Sequence, residues 1–315
     1  MVVRTAVLAL GGNALSRSDE PATVTNQFRH ARESVAPIVE LARQGWRIVI
    51  VHGNGPQVGD ELVRNEAARK VVEPLPLGVL VAETAGWIGY MLQQSLQNAL
   101  IAVGVQREVI TVITQTLVDR YDPALNQPTK PIGHAVTRQE AARIGEAGRA
   151  VGKDGAGHWR RMATSPLPIA VVEFPVIQRL LESGALVIAA GGGGPPVYQD
   201  PLLGLEGLDA VVDKDRVSAI LASQLGAEVL MILTNVDAVF EGWGTDRARP
   251  IRRMTVEEAE RMIVSGSLDA GGMKPKIEAA AGFVRRGGSR AIIARLSEGP
   301  AALRGETGTT ITRAP

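Results

Sequence analysis

The feature of this chain that most constrains its fold is an alternation of short apolar runs with longer amphipathic stretches. Strand-length runs rich in Val, Ile, Leu and Ala occupy residues 3–10, 47–51, 185–190, 228–233 and 290–296. Stretches with the helical period occupy residues 25–43, 56–70, 79–102, 215–225, 256–265 and 274–286. Strands that alternate with helices build a mostly parallel sheet with helices on both faces. The sequence therefore predicts an α/β fold with an open, mostly parallel central sheet.

One segment, residues 119–165, departs from this alternation. It is polar, rich in Gly, Pro, Arg and His, and it contains no long apolar run. Because so long a loop without secondary structure is uncommon in a compact domain, we predict a small inserted subdomain of hairpins with a short helix near residues 139–147. At 315 residues the chain is also longer than one compact core normally needs. We expect two lobes, with this inserted subdomain protruding from them.

Charge and composition argue against several classes of function. The formal net charge is +1 and aromatic residues make up 3% of the chain, so neither a basic surface for nucleic acid nor a stacking platform for bases is expected. No apolar run approaches the ~18 residues of a transmembrane helix. The run at residues 6–10 is shorter than the ~7–15 residues of an export signal. Cysteine is absent, which excludes disulfides. We expect a cytoplasmic protein that binds neither nucleic acid nor membrane.

Three glycine clusters follow predicted strands: Gly11-Gly12, Gly53-Asn54-Gly55 and residues 191–194. In an open parallel sheet, ligands bind beyond the carboxyl ends of the strands. Glycine there lets backbone N–H groups approach an anion, and the following helix N-terminus adds positive potential. One such cluster could simply form a turn, but three of them favour a phosphate site.

Two familiar phosphate motifs can be tested directly. The Gly152-Lys153 pair is followed by Asp154, where a P-loop requires Ser or Thr, so no P-loop is present. Residues 53–59, GNGPQVG, follow a predicted strand and open a helix, which resembles a dinucleotide-binding fingerprint, but the last glycine is one position late. A dinucleotide-binding oxidoreductase therefore stays open as a second class.

The lysines add a separate signal, because only six of the 34 basic residues are Lys. Lys214 lies between two aspartates at a predicted helix start, and Lys274 and Lys276 lie at another. Helix N-termini disfavour cations, so lysines at these positions suggest a shared anion. The alternative at residues 213–215 is an ordinary aspartate N-cap with an exposed lysine.

The histidines indicate neither a metal site nor a catalytic pair. His30, His52, His134 and His158 show no i, i+4 spacing, and His52, which follows a predicted strand, is interpreted as a packing residue rather than a base. No nucleophile elbow is present.

Taken together and in order, seven segments resemble those of the carbamate kinases, a branch of the amino-acid kinase superfamily. They are ALGGNAL (9–15), VHGNGPQVG (51–59), PTKPIG (128–133), GGGGP (191–195), DKD (213–215), LTNVDAV (233–239) and MKPK (273–276). The wider superfamily shares the glycine-rich first strand, Thr-Asn-Val-Asp and the late lysine. The combination with HGNGPQ and PTKP is specific to carbamate kinases.

The resemblance implies an amino-acid kinase fold. Residues 1–226 would form the lobe that binds carbamate or carbamoyl phosphate, with 119–165 as the protruding insert, and residues 227–315 would form the nucleotide lobe. It also implies a homodimer formed through the N-terminal lobes. The segment His134-Ala135-Val136 stands where the family commonly has Pro-Phe-Tyr, so the tip of the insert is expected to pack differently and the placement of Lys130 is affected.

The implied activity is reversible phosphoryl transfer between ATP and carbamate, run toward ATP synthesis in arginine and carbamoyl phosphate catabolism. Mg²⁺ would be held mainly by the ATP phosphates, with no metal site on the protein. The implied catalytic residues are Lys214, Lys276, Asp215 and Lys130. The implied substrate-binding residues are Gly11, Gly12, Asn13, Gly53, Asn54 and Gly55. The implied nucleotide-binding residues are Gly191, Gly192, Thr234, Asp237, Met273 and Lys276.

Physical chemistry agrees with this activity. Phosphoryl transfer depends on positioning and charge neutralisation, and carbamate already carries its nucleophilic oxygen as an anion, so no general base is needed. Two rivals to a carbamate kinase remain besides the oxidoreductase. One is a superfamily kinase for another carboxylate or a nucleotide, such as acetylglutamate kinase or uridylate kinase. The other is a ligand-binding relative that lost catalysis, against which the intact Lys214, Asp215 and Lys276 argue.

Overall fold

The structure is a computed structural model that describes residues 4–12, 15–16, 20–266, 268 and 272–314. The strands in these ranges are β1 Thr5–Leu10, β2 Arg47–His52, β3 Val109–Thr111, β4 Thr116–Val118, β5 Lys130–Val136, β6 Val151–Lys153, β7 Trp159–Ala163, β8 Pro168–Val171, β9 Leu186–Ile188, β10 Pro196–Asp200, β11 Gly204–Gly207, β12 Val229–Thr234, β13 Val239–Glu241, β14 Arg249–Ile251, β15 Arg253–Thr255, β16 Arg290–Arg295 and β17 Thr309–Thr312. The α-helices are α1 Val24–Ser34, α2 Ala36–Arg43, α3 Gly55–Ala68, α4 Leu77–Ala102, α5 Arg138–Glu146, α6 Phe174–Glu182, α7 Lys214–Gln224, α8 Val256–Val264, α9 Met273–Arg285 and α10 Gly299–Leu303.

The central sheet has eight strands in the order β15-β17-β16-β12-β1-β2-β9-β3. Neighbouring strands are parallel except β16 and β17, which are antiparallel. Alternate residues of β1 point into two different cores, because side chains alternate across a strand. Val7 and Ala9 belong to the core with α7 and α9, whereas Leu8 and Leu10 belong to the core with α2 and α4. The predicted α/β architecture is confirmed, with helices covering both faces.

The sheet runs without interruption through the predicted lobe boundary between residues 226 and 227. Strand β12, the first strand after that boundary, pairs in parallel with β1 from Ala6↔Val229 to Leu10↔Leu233. The two predicted lobes therefore share one sheet, and their assignment to different substrates stays a prediction.

Two features of the fold were not evident from the sequence. The stretch at 25–43 is two helices rather than one, with Pro37 in the first turn of α2, where proline is tolerated but a continuing helix is not. A second sheet, in the order β11-β10-β4-β8, lies beside the central one. Its strands are only three to five residues long, too short to give a clear periodicity.

Residues 130–163 contain a separate antiparallel sheet, in the order β5-β7-β6, together with α5. Helix α5 begins with a capping box between Thr137 and Glu140 and lies where the sequence predicted a short helix. Ile132 and Ala163 of this subdomain are buried in a small core that includes Val58 of α3 and Val81 of α4. The inserted subdomain is therefore packed against the body of the protein through apolar side chains.

None of the helices in the described ranges is both long enough and apolar enough to cross a bilayer.

Candidate active site

A cavity of about 870 Å³ opens where three neighbouring strands of the central sheet end. Gly11 and Gly12 follow β1, Thr234 ends β12, and Arg295 ends β16. The N-termini of α7 and α9 form a second wall, and residues 129–131 of the inserted subdomain form a third. Because two helix N-termini converge here, and that of α9 has no side-chain cap, the cavity is suited to an anion.

The glycines beside the cavity permit a close approach of backbone and side chain. The N–H of Gly11 donates to the carbonyl oxygen of Leu233 at 2.9 Å, and the N–H of Gly53 donates to that of Leu10 at 3.0 Å. A Cβ added at Gly53 would lie 3.2 Å from both the backbone nitrogen of Gly12 and Cε of Lys214. A larger residue at Gly53 would therefore displace Lys214 from its present position.

Asp215 joins the two helices at the cavity. Its Oδ1 accepts from Nζ of Lys214 at 2.5 Å, and its Oδ2 accepts from Nζ of Lys276 at 2.8 Å. Lys214 and Asp215 lie in the first turn of α7, and Lys276 lies in the first turn of α9. One carboxylate thus fixes two lysines that belong to different helices.

Asp213 is the N-cap of α7 and also holds a third lysine. Its Oδ1 accepts from the N–H groups of Asp215 at 3.0 Å and Arg216 at 3.2 Å. Its Oδ2 accepts from Nζ of Lys130, which belongs to the inserted subdomain. The aspartate cap is therefore present, but the lysine beside it is not exposed, since only 11% of the Lys214 side chain is accessible.

The electrostatics of the cluster follow from burial and from this pairing. Burial lowers the pKa of Lys214 despite the attraction of Asp215. Burial also opposes the charge of Lys276, yet Asp215 raises the pKa of Lys276 overall. Although burial alone would raise the pKa of Asp215, the charges of Lys214 and Lys276 lower it. The Asp213 carboxyl behaves alike, because Lys130 lowers its pKa against the effect of burial. Three lysines against two carboxylates leave a positive excess for an anionic ligand.

The other predicted site residues that the structure describes lie in or near the cavity, and Asn13 is outside the described residues. Thr234 lines the cavity. Gly55 begins α3, and Asn54 is buried and donates through Nδ2 to Oγ1 of Thr84 at 2.9 Å. Asp237 pairs with Arg295, and Met273 is partly buried against the core beneath α9.

Gly191 and Gly192 do not line the cavity, and neither do the other predicted residues Gly53, Asn54, Gly55, Asp237 and Met273. A Cβ at Gly191 would lie 2.5 Å from Nε2 of His52, and one at Gly192 would lie 2.2 Å from Nδ2 of Asn54. In this structure the glycine run therefore makes room for the side chains of His52, which ends β2, and Asn54, which follows it. The nucleotide contacts predicted for these two glycines, for Asp237 and for Met273 stay predictions.

Some cavity residues were missed by sequence reasoning. Arg295 and Ser297 line the cavity after β16, and Arg216 lines it beside Asp215 while pairing with Glu278 of α9 at 2.8 Å. The signal for Arg295 was available, since it lies at the carboxyl end of the predicted strand 290–296, on the same edge of the sheet as the glycine clusters. No sequence signal indicated that Asp213 would pair with Lys130, which is 83 positions away.

As to metals, no three His, Cys, Asp or Glu side chains of the described residues come together in a way that could hold an ion. Both aspartates at the cavity face lysines.

His52, the last residue of β2, is a buried packing residue. Only 1% of it is exposed, and its Nδ1–H donates to the carbonyl oxygen of Gly53 at 3.1 Å. Burial lowers the pKa of His52 to about 4, with a smaller contribution from the charge of Lys214.

This pKa predicts a loss of stability in acid. Between pH 6.5 and 4 the unfolded chain binds a proton at His52 that the folded protein does not. The free energy of unfolding is therefore undiminished by His52 above pH 6.5 and decreases as the pH falls below that value. A pKa of about 4 instead of 6.5 corresponds to about 2 kcal/mol lost between pH 7 and pH 5. Denaturant unfolding of the wild type and of His52→Gln at both pH values measures the difference. An equal pH dependence in the two proteins would contradict this assignment.

Comparisons with known proteins agree with the site. Residues 4–295 match the amino acid kinase family. The carbamate kinase of Pyrococcus horikoshii is 42% identical over 97% of this chain and 98% of its own, and that of Halobacterium salinarum is 43% identical over 98% of each. The structure of a carbamate kinase from Giardia lamblia bound to citric acid superposes with a TM-score of 0.93, at 36% identity and 99% coverage of both chains. The same enzyme bound to AMP-PNP gives a TM-score of 0.89 at 35% identity and the same coverage.

Proposed function

The chain belongs to the amino acid kinase family and, within it, to the carbamate kinases, and we propose that it transfers a phosphoryl group reversibly between ATP and carbamate. The observation that carries this proposal is the buried Asp215, which holds Lys214 and Lys276 together across two helix N-termini at the edge of the sheet. Such an arrangement costs desolvation energy unless an anion shares the charge, and a transferring phosphoryl group is that anion.

In the proposed mechanism, Lys214 and Lys276 neutralise the charge that spreads over the phosphoryl oxygens. The backbone N–H of Gly12 and the uncapped N-terminus of α9 add fixed dipoles on the same side. No general base is required, because the carbamate oxygen is already anionic. Lys130 enters from the inserted subdomain, and we propose that it contacts the carbamate end of carbamoyl phosphate.

We propose that Mg²⁺ enters with the nucleotide, held mainly by its phosphates, where it would neutralise the β- and γ-phosphate charge. The donor set fits this proposal, because Asp213 and Asp215 already pair with Lys130, Lys214 and Lys276. The nucleotide itself is proposed to lie toward Thr234 and α9.

We further propose that the reaction runs toward ATP synthesis in the cytoplasm, and that the protein is a homodimer formed through the N-terminal part. Exposed apolar residues support the dimer: Val79, Tyr90 and Ile101 of α4 are spaced eleven positions apart, which places them on one helix face. Sedimentation equilibrium measures the mass directly, and a monomer would contradict this assembly.

The activity has a direct test. Purified protein with ADP, Mg²⁺ and carbamoyl phosphate should form ATP well above the rate seen without protein, as followed by a coupled enzymatic assay. Because specific ligands raise stability by mass action, ADP and carbamoyl phosphate should also raise the Tm, whereas NAD should not. Acetylglutamate and UMP, offered with ATP, serve as alternative acceptors.

Each outcome of these assays identifies one class of protein. No ATP above the spontaneous breakdown of carbamoyl phosphate would overturn the carbamate kinase proposal. Faster transfer to acetylglutamate or UMP would identify another superfamily kinase. A Tm raised by NAD would favour a dinucleotide-binding protein.

A further inference from the structure

We infer that Gly59 is a positioning residue, whose contact with Gly133 sets the inserted subdomain on helix α3 and thereby holds Lys130 in the cavity. Gly59 ends the segment VHGNGPQVG and Gly133 ends the segment PTKPIG, so the two segments meet at this contact. The kinetic part of the inference rests on the proposed function, and the structural part does not.

The contact between Gly59 and Gly133 is backbone against backbone. A Cβ added at Gly59 would lie 2.0 Å from Cα and 2.8 Å from the backbone nitrogen of Gly133. Gly133 itself has a φ of +72°, which a residue with a Cβ adopts only with strain. Neither partner can rotate away as a side chain could, so any Cβ at Gly59 pushes β5 from α3.

Gly59 is also unfavourable for the helix in which it lies. Gly59 is the fifth residue of α3, and glycine inside a helix costs ~1 kcal/mol relative to alanine. In the insert helix α5, by contrast, Gly145 has room for a methyl group, since a Cβ there would only approach Cγ2 of Val151 at 3.7 Å. The two helical glycines therefore differ in whether alanine can be accommodated.

Other contacts hold the same two elements together. Arg161 of β7 forms a bidentate ion pair with Glu66 of α3, at 2.7 and 2.9 Å. Nε2 of His134 lies 3.3 Å from Oδ1 of Asp60. Arg160 donates to the carbonyl oxygen of Gly133 from within the subdomain. Together with the apolar packing of Ile132 and Val58, these interactions define how the subdomain is placed on α3.

The position of the subdomain on α3 determines where Lys130 lies. Lys130 is three positions before Gly133 on the same strand, about 10 Å away. Moving Gly133 Cα from 2.0 Å to an ordinary contact of 3.4–4 Å would shift β5 by about 1.5 Å. A shift of that size separates Nζ of Lys130 from Asp213, and misplacement by about 1 Å can cost ~10²-fold in rate.

The kinetic test is a double-mutant cycle of Gly59→Ala with Lys130→Ala. Gly59→Ala should lower kcat/KM for carbamoyl phosphate by ~10²-fold and leave the KM for ADP within about threefold. In the Lys130→Ala background the same change should cost less than about threefold, because the residue it positions is gone. Gly145→Ala, the matched control, should behave as wild type. An equal loss in both backgrounds would overturn the inference.

Chemical labelling of lysines tests the placement without using activity. The chain has only six lysines, and mass spectrometry can follow the acetylation rate of each. In the wild type Lys130, paired with Asp213, should react more slowly than the exposed Lys70 and Lys153. In Gly59→Ala its rate should rise several-fold toward theirs, while those of Lys214 and Lys276 stay unchanged. An unchanged Lys130 rate in a folded Gly59→Ala protein would overturn the inference even if the protein is a carbamate kinase.

If Gly59→Ala does not fold, Gly133→Ala carries the same test from the other side of the contact. A Cβ at Gly133 would lie 3.1 Å from Cα of Gly59. The Lys130 labelling rate should again rise, with the same kinetic pattern. No change in either measurement in a folded Gly133→Ala protein overturns the inference. If no ATP is formed by the wild type, the labelling result still decides the placement, so the two proposals fail separately.

Discussion

Replacing Lys214 or Lys276 by alanine should lower kcat by ~10²-fold or more, the usual loss for one preorganised charge at a developing anion. The two ammonium groups share Asp215 and begin neighbouring helices, so each contributes where helix N-termini already favour negative charge. Initial rates of ATP formation from ADP and carbamoyl phosphate, taken at saturating substrate, measure the loss.

Lys70→Ala is the control for this prediction. Lys70 is exposed and follows α3, and it belongs to the same small set of lysines. Its loss should change kcat by less than about twofold. If Lys70→Ala and Lys214→Ala have equal effects, neither the position of Lys214 at the cavity nor the scarcity of lysine identifies a functional residue.

Asp215→Asn should both inactivate and destabilise the protein. The substitution leaves two lysines, 11% and 17% exposed, facing an amide that cannot neutralise them. Removing one partner from a buried ion pair typically costs about 3–5 kcal/mol, because the remaining charge stays desolvated. We expect that loss in the free energy of unfolding measured with denaturant, together with a fall in kcat of ~10²-fold or more. Inorganic phosphate should restore stability more in the variant than in the wild type, since it supplies the missing negative charge.

Asp246→Asn is the matched substitution, in an exposed loop away from the cavity. It should change the unfolding free energy by less than about 0.5 kcal/mol. A stable and active Asp215→Asn protein would show that Asp215 neither holds the lysines nor matters for transfer.

The inserted subdomain shows where local signals end. A short helix was predicted near residues 139–147, and α5 lies there. Its capping box is a local signal too, since Thr137 and Glu140 are three residues apart. The packing of the subdomain was not predictable in the same way, because Ile132 and Ala163 look isolated in a polar segment and become core residues only against Val58 and Val81. A single apolar residue gives no periodic signal, so its burial depends on which surface it meets.

The glycine run at residues 191–194 shows that a clear local pattern can have more than one structural cause. By sequence it was one of three glycine clusters that favoured a phosphate site, and in the structure Gly191 and Gly192 approach His52 and Asn54 and do not line the cavity. Their contact with a nucleotide stays a prediction. Glycine signals only that a backbone approaches something closely or adopts a positive φ. Whether the neighbour is a ligand or another part of the protein is settled by the packing of distant segments.

The sequence by itself determined the alternation of strands and helices, the parallel sheet, and the placement of Lys214 and Lys276 at helix starts. These features depend on residues within one or two helical turns of each other, so periodicity and capping chemistry report them. The tertiary structure alone decided that Lys276 meets Asp215 and that Lys130 meets Asp213. Asp215 pairs with Lys276, 61 positions away, Asp213 pairs with Lys130, 83 positions away, and the Gly59–Gly133 contact spans a similar distance along the chain. Such contacts form because the order of strands in the sheet and the seat of the inserted subdomain bring remote segments together, and no local pattern records that order.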